Sequence, residues 1–214
     1  QPTTATAGVA IAPAIQVTAR DAQGNTATGF TGNVTLAIGA NPGTGTIGGT
    51  PTVAAVGGIA TFTSVNINRN GNGYTLTAAA TGVTGATSSA FNILAGAASV
   101  LVFTQQPTNA TAGVAISPAV VVTARDNQGN TATSFTGNVT LAIGTNPGAG
   151  TLGGTPTVAA VAGVATFASV NINRTGAGYT LTAAATGVTG ATSTAFNITP
   201  GAASVLVFTQ QPAN

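Results

Sequence analysis

The sequence predicts an all-β protein built from two tandem β-sandwich domains. Three observations carry that expectation. The chain repeats itself at a period of 105 residues, its apolar residues alternate with threonine at a period of two, and no helical period survives anywhere.

The repeat is read directly. Gln1-Pro2-Thr3 returns as Gln106-Pro107-Thr108, and Gln211-Pro212 opens a third copy. Aligned over 1–105 and 106–210, 88 of 105 positions are identical, and the 17 differences are mild: Ile15 against Val120, Ile47 against Leu152, Gly57 against Ala162. Such a unit is too long for a solenoid coil of about 20–50 residues and suits one sandwich of about 100 residues.

The strands follow in order. In 14–20, Ile15, Val17 and Ala19 share one face. In 33–38, Val34, Leu36 and Ile38 point inward. The apolar run 59–67 changes phase between Phe62 and Val65, which predicts a bulge or a strand end. In 74–78, Tyr74, Leu76 and Ala78 align, and in 89–93 Phe91 and Ile93 do. For the second repeat the first strand is expected at 99–105 and the last at 193–198. Threonine, with 41 copies, is the commonest outward residue; it is β-branched, favours the pleat and stays wettable.

Turns separate these runs. In Asp21-Ala22-Gln23-Gly24-Asn25 the Asp can accept backbone N–H bonds, and Gly24 supplies a positive φ; Asp126, Gly129 and Asn130 repeat the pattern. Asn41-Pro42-Gly43 and Asn70-Gly71-Asn72-Gly73 read as loops of the same kind. The count comes to about seven strands per repeat, the number of an immunoglobulin-like β-sandwich. The expected domains are 1–95, an immunoglobulin-like repeat lacking its first strand, then 96–200, a second repeat, then 201–214, the first strand of a further repeat.

The stretches VTARDAQGNTATGFTGNVTLAIG, GTIGGTPTVAAVGGIATF and GYTLTAAATG resemble the bacterial immunoglobulin-like repeats of invasin- and intimin-type surface proteins. The carriers are the Asp-x-x-Gly-Asn turn at Asp21, Gly24 and Asn25 (again at Asp126, Gly129 and Asn130), the Gly-x-Ala-x-Phe strand at 58–62, and the Gly-Tyr-x-Leu-x-Ala strand at 73–78. The resemblance covers almost all of each repeat. It implies rod-like extracellular modules that hold a functional tip away from a cell surface. This chain departs from the pattern in having almost no charge and no recognisable tip or anchor.

Tyr74 and Tyr179 each follow a glycine and open a strand, with Leu two residues on. That is the pattern of a tyrosine corner, whose hydroxyl bonds backbone upstream; a ligand-binding ring is the other reading. Asp21 and Asp126 read as turn caps. Arg69 and Arg174 sit near loops, where solvent or carbonyl oxygens would meet them.

The composition excludes most chemistry. Charged residues are 3%, Lys plus Arg total 4, Asp plus Glu total 2, and His, Cys, Met and Trp are absent. Candidate acid–base groups reduce to Asp21, Asp126, Tyr74 and Tyr179, so neither a carboxylate pair nor a base beside a nucleophile is expected. The expectation is no enzyme, no cofactor and no bound metal. The net charge of +2 comes from four dispersed arginines, Arg20, Arg69, Arg125 and Arg174, which form no patch for nucleic acid. No apolar run reaches the ~18 residues of a membrane helix. Asn-x-Thr sequons at Asn33, Asn109, Asn138, Asn173 and Asn197 are about as many as chance gives in so Thr-rich a chain, so glycans remain possible and unsupported. The chain has no starting Met and no leader-like segment, which suggests a processed chain or a window of a longer one.

The repeat frame and the chain ends do not match. A counterpart of 98–105 would precede Gln1, whereas Ala203, Ser204, Val205, Leu206, Val207, Phe208, Thr209 and Gln210 read as a first strand with no domain after them. The primary expectation is therefore an extracellular bacterial filament or fibre. Its partner is the chain itself, joined head to tail by strand complementation or as a continuous array. The stalk of a large cell-surface adhesin is the alternative, and a carbohydrate-binding module a weaker one, since sugar platforms use exposed rings and aromatics are 5%. Val121 in place of Gln16, with Val53, Val56 and Val83, is a candidate set for lateral contacts or for ordinary surface apolars.

Overall fold

The computed structural model describes residues 1–210. All regular structure among them is β-strand. The chain divides into two compact units, one made of 1–97 with 125–134, the other of 98–124 with the residues from 135 onward. The division is not contiguous. Segment 125–134, expected inside the second repeat's domain, belongs to the first unit, because Asp126 and Asn130 bond residues 68–70 and 96.

In the second unit one sheet has seven strands, in the order Thr157–Ala159, Asn138–Ile143, Leu181–Ala185, Val188–Thr192, Val100–Gln105, Val120–Arg125 and Val164–Phe167. A smaller sheet contains Ala110–Thr111, Phe196–Thr199 and Gly176–Tyr179, and Leu152–Gly153 pairs with Asn171–Ile172. Several short segments are one run of chain that bends from one sheet to the other. Grouped in this way they form seven runs: 100–111, 120–125, 138–143, 152–159, 164–172, 176–185 and 188–199. Bending lets five of these runs, 100–111, 152–159, 164–172, 176–185 and 188–199, contribute to two sheets, while 120–125 and 138–143 each lie in one. Leu101, Phe103, Val120, Val122, Leu141, Phe167, Tyr179, Leu181, Phe196 and Ile198 pack between the layers.

The first unit repeats this layout. Asn33–Ile38 is flanked by Thr52–Ala54 and Leu76–Ala80, with Val34 opposite Val53 and Leu36 opposite Ala78. Its core holds Ile15, Val34, Leu36, Phe62, Ile67, Tyr74, Leu76, Phe91 and Ile93. One feature differs. Where the second unit has a single sheet of seven strands, the first has a four-stranded sheet ending in Val83–Thr87 and a separate pair, Ile15–Thr18 with Ile59–Phe62.

Local patterns explain the strand limits. The phase change in 59–67 is a change of sheet: Ile59–Phe62 pairs with Ile15–Thr18, and Asn66–Ile67 pairs with Ile47–Gly48. The run expected at 74–78 divides at Thr75 between Gly71–Tyr74 and Leu76–Ala80. There the Thr75 hydroxyl accepts the Ala40 N–H at 2.8 Å, while the Thr75 carbonyl accepts the Gly39 N–H at 2.8 Å and the Thr75 N–H donates to the Ala40 carbonyl at 3.2 Å. The final strand starts later than expected, at Phe196–Thr199. Residues 203–210, expected as a strand, form none among the described residues, and all of them are exposed. A strand is defined by its ladder, and this segment has no partner strand there to give it one.

Candidate functional site

The candidate site is the open edge of the first unit. Ile15–Thr18 lines one side and Leu76, Ala78 and Ala86–Ser88 the other, with Gln1 and Pro2 at one end. The groove runs on past Ala19, Phe30, Val34, Ala80 and Val83. It exists because Val83–Thr87 and Ile15–Thr18 are edge strands whose ladders do not meet. Edges of this kind are templates for a further strand. Val83 is 38% exposed there, which a sheet interior would cover.

In the second unit the corresponding place is filled. At the corresponding place Val100–Gln105 lies between Val188–Thr192 and Val120–Arg125. It pairs in parallel with the former, Val100 opposite Thr189, and the Thr189 N–H donates to the Ser99 carbonyl at 2.9 Å. Toward the latter, the hydroxyls of Thr104 and Thr123 share a hydrogen bond of 2.8 Å. Alternate side chains point inward, leaving Leu101 1% and Phe103 6% exposed. Under this strand Val122, Thr123 and Ala124 are buried, whereas Val17, Thr18 and Ala19 of the first unit are half-buried.

The matching strand is present elsewhere in the chain. Residues 202–210 are identical to 97–105. Val205, Leu206, Val207 and Phe208 are 74%, 99%, 75% and 83% exposed. The far end of the groove is also prepared. Gln106, which follows the strand in the second unit, accepts the Thr194 N–H on Oε1 at 2.9 Å, and Gln1 accepts the Ser89 N–H in the same way at 3.0 Å. The sequence reading missed this glutamine latch, although the recurrence of Gln-Pro at each repeat start pointed to it.

The turn residues lie apart from the groove lining. The Asp21 carboxylate accepts the N–H groups of Gln23 and Asn25 at 3.0 and 2.8 Å and the Asn25 amide at 3.1 Å. The Asn25 side chain and its N–H, more than offsetting the slight burial, hold this carboxyl below its ordinary value, with Gln23 and Gly24 adding to them. Asp126 makes the same three contacts with Gln128 and Asn130 and gains a fourth donor, the Gly96 N–H at 2.8 Å. Burial pushes the Asp126 carboxyl up, but the Asn130 side chain, the Gly96 N–H and the Asn130 and Gln128 N–H groups outweigh it, and the net shift is downward. Gly24 and Gly129 take φ of 88° and 78° to close these turns. Arg20 and Arg125 donate to the carbonyls of Gly24 and Gly129.

The two tyrosines are fully buried, and their hydroxyls donate upstream, Tyr74 to the Arg69 carbonyl and Tyr179 to the Arg174 carbonyl, each at 3.0 Å. Burial raises the Tyr74 pKa against the opposing N–H groups of Gly43 and Gly45 and the charge of Arg69. A Cβ at Gly43 would run into both the Asn70 carbonyl and the Tyr74 hydroxyl, so the loop closes over the ring only with glycine there. Of the valines, Val56 is 81% exposed and Val53 and Val121 are half-buried.

The fold and its open edge define a pair of immunoglobulin-like β-sandwiches in which the second is closed by its own first strand. No family model matches the sequence, and no curated protein matches it. Solved structures similar to it include a beta-glycosidase from Bacteroides vulgatus (14% identity over 76% of this chain and 21% of that one, TM-score 0.38). Domains 4–9 of the surface layer protein SbsC share 20% identity over 94% of this chain and 30% of that one, with a TM-score of 0.32. A C-terminal 282-residue fragment of intimin, in complex with the intimin-binding domain of its translocated receptor, shares 16% identity over 92% of this chain and 61% of that one, with a TM-score of 0.32. The chain spans about a fifth of the glycosidase chain and less than two thirds of each of the others.

Proposed function

We propose that this protein is a structural, non-enzymatic unit of an extracellular bacterial filament at the cell surface, joined head to tail by strand complementation. Residues 203–210 of one copy enter the groove of the next, between Ile15–Thr18 and Val83–Thr87. The observation that carries this reading is the identity of that segment with the strand that fills the same groove in the second unit. Ladder bonds would supply affinity, and Leu206 and Phe208 the fit. Burying these two side chains contributes about 1.5–3 kcal/mol each. The contact is heterologous, and a heterologous contact that does not close on itself makes a fibre. The near absence of charge also removes the repulsion that keeps ordinary sheets apart. The two aspartates each cap a turn of their own, and neither faces a second carboxylate or a base of the kind hydrolytic chemistry needs.

The test is electron microscopy of the chain with and without residues 201–214, of which 211–214 lie outside the described residues. The full chain is expected to form uniform fibres, and the truncated chain to stay folded and monomeric. Fibres from the truncated chain would overturn the proposal. A second reading, a stalk segment of a large adhesin, is favoured by one observation: in the second unit the filling strand is covalently continuous with the domain it completes. A mass of the native polypeptide far above 20.2 kDa under denaturing conditions decides for that reading.

A further inference from the structure

A second contact between copies follows from the difference between two turns of nearly identical sequence. In the first unit, the turn 125–130 is packed on residues 68–70 and 96. The Gly96 N–H donates to Asp126 Oδ2 at 2.8 Å, Asn130 Nδ2 donates to the Asn68 carbonyl at 3.1 Å, and the Asn70 N–H approaches Asn130 Oδ1 at 3.4 Å. Arg69 reaches the Gln128 carbonyl at 3.5 Å. Asp126 and Asn130 are each 4% exposed as a result. The turn 20–25 carries the same Arg, Asp, Gln, Gly and Asn, yet every residue in it is exposed. Its internal bonds match those of the packed turn to within 0.1 Å, so docking would require no rearrangement.

The receiving groups also have unused counterparts. Asn173, Arg174 and Gly201 repeat Asn68, Arg69 and Gly96, and all three are exposed. Thr175 stands for Asn70, whose part is played by its backbone N–H alone. The substitutions between repeats therefore leave each donor and acceptor of this contact in place.

We propose that the turn Asp21–Asn25 of one copy docks on Asn173–Thr175 and Gly201 of a second copy, with Asp21 accepting the Gly201 N–H and Asn25 donating to the Asn173 carbonyl. This rests on the head-to-tail reading, in which strand 203–210 threads the groove and the turn adds a specific polar contact beside it. A strand alone is a flexible tether. A buried, charge-assisted contact to a preformed turn fixes how successive copies meet.

The chain has no cysteine, so introduced thiols report cleanly. In Gln23→Cys/Arg174→Cys filaments, a short bis-maleimide is expected to produce a covalent ladder in steps of 20.2 kDa. Gln23→Cys/Thr157→Cys filaments are expected to give none. In wild-type filaments, amide exchange at Gly201 is expected to slow about tenfold relative to free chain, and to return to the free rate in Asp21→Ala filaments. Filaments that form without the ladder, or with Gly201 exchange indifferent to Asp21, overturn the docking contact and leave strand complementation standing. A chain that forms no filaments overturns both.

Discussion

The hydroxyls of Thr104 and Thr123 lie 2.8 Å apart and tie the first strand of the second unit to its neighbour. Their counterparts, Thr209 one repeat later and Thr18 one repeat earlier, are exposed and half-buried, respectively. Among the described residues this pair of threonines thus makes its contact once, and its halves recur separately at 209 and at the open edge.

Phe103 and Phe208 are the same residue of the repeat in opposite states, 6% and 83% exposed. Phe103→Ala is expected to destabilise the second unit by about 3–5 kcal/mol, since it empties a core position. Phe208→Ala is expected to leave monomer stability within about 0.5 kcal/mol of wild type, since nothing packs on it there, while sharply reducing fibre formation. Chemical denaturation of monomer and sedimentation of fibres check the two halves.

Tyr74→Phe removes the bond to the Arg69 carbonyl and leaves the ring in place. The expected cost is about 0.5–1.5 kcal/mol, read as a shift in denaturation midpoint without a change in slope. Tyr179→Phe is expected to act alike through Arg174.

Acid should weaken the first unit through Asp126. Its carboxyl is held below the ordinary 3.8, so the unfolded chain binds the proton more readily than the folded one. The stabilisation is therefore present above that ordinary value and is lost as pH falls through the lower folded one. Denaturation curves should show Asp126→Asn less stable than wild type at neutral pH, with the gap narrowing in strong acid. A gap that is constant with pH contradicts the assignment.

Much of this architecture is legible in the residues. Val34, Leu36 and Ile38 alternate with Asn33, Thr35 and Ala37, and the strand falls at Asn33–Ile38 as the alternation requires. The broken phase after Phe62 marks the place where the chain changes sheet. The recurrence of ASVLVFTQ marks the strand Val100–Gln105, whereas its second copy at 203–210 forms no strand among the described residues. Other features lie beyond a local reading. Asp21 and Asp126 sit in turns that differ in sequence only at Ala22 and Asn127 and make the same internal bonds, yet the rest of the molecule brings Gly96 and Asn68 to one and leaves the other exposed. The parallel pairing of Val100 with Thr189 joins positions 89 residues apart, and no pattern of side chains announces it. The break at Thr75 goes with three bonds from that residue to Gly39 and Ala40, far along the chain, which periodicity does not encode.

Residues 203–210 are proposed as the strand that completes the first unit's open sheet. The most direct measurement is amide exchange of the chain lacking 201–214, with and without a synthetic peptide of residues 202–210. Strand complementation predicts that the peptide binds and slows exchange in Ile15–Thr18 and Val83–Thr87, while exchange in Val120–Arg125 is unchanged. Exchange in both edge strands that is unaltered at saturating peptide would contradict it.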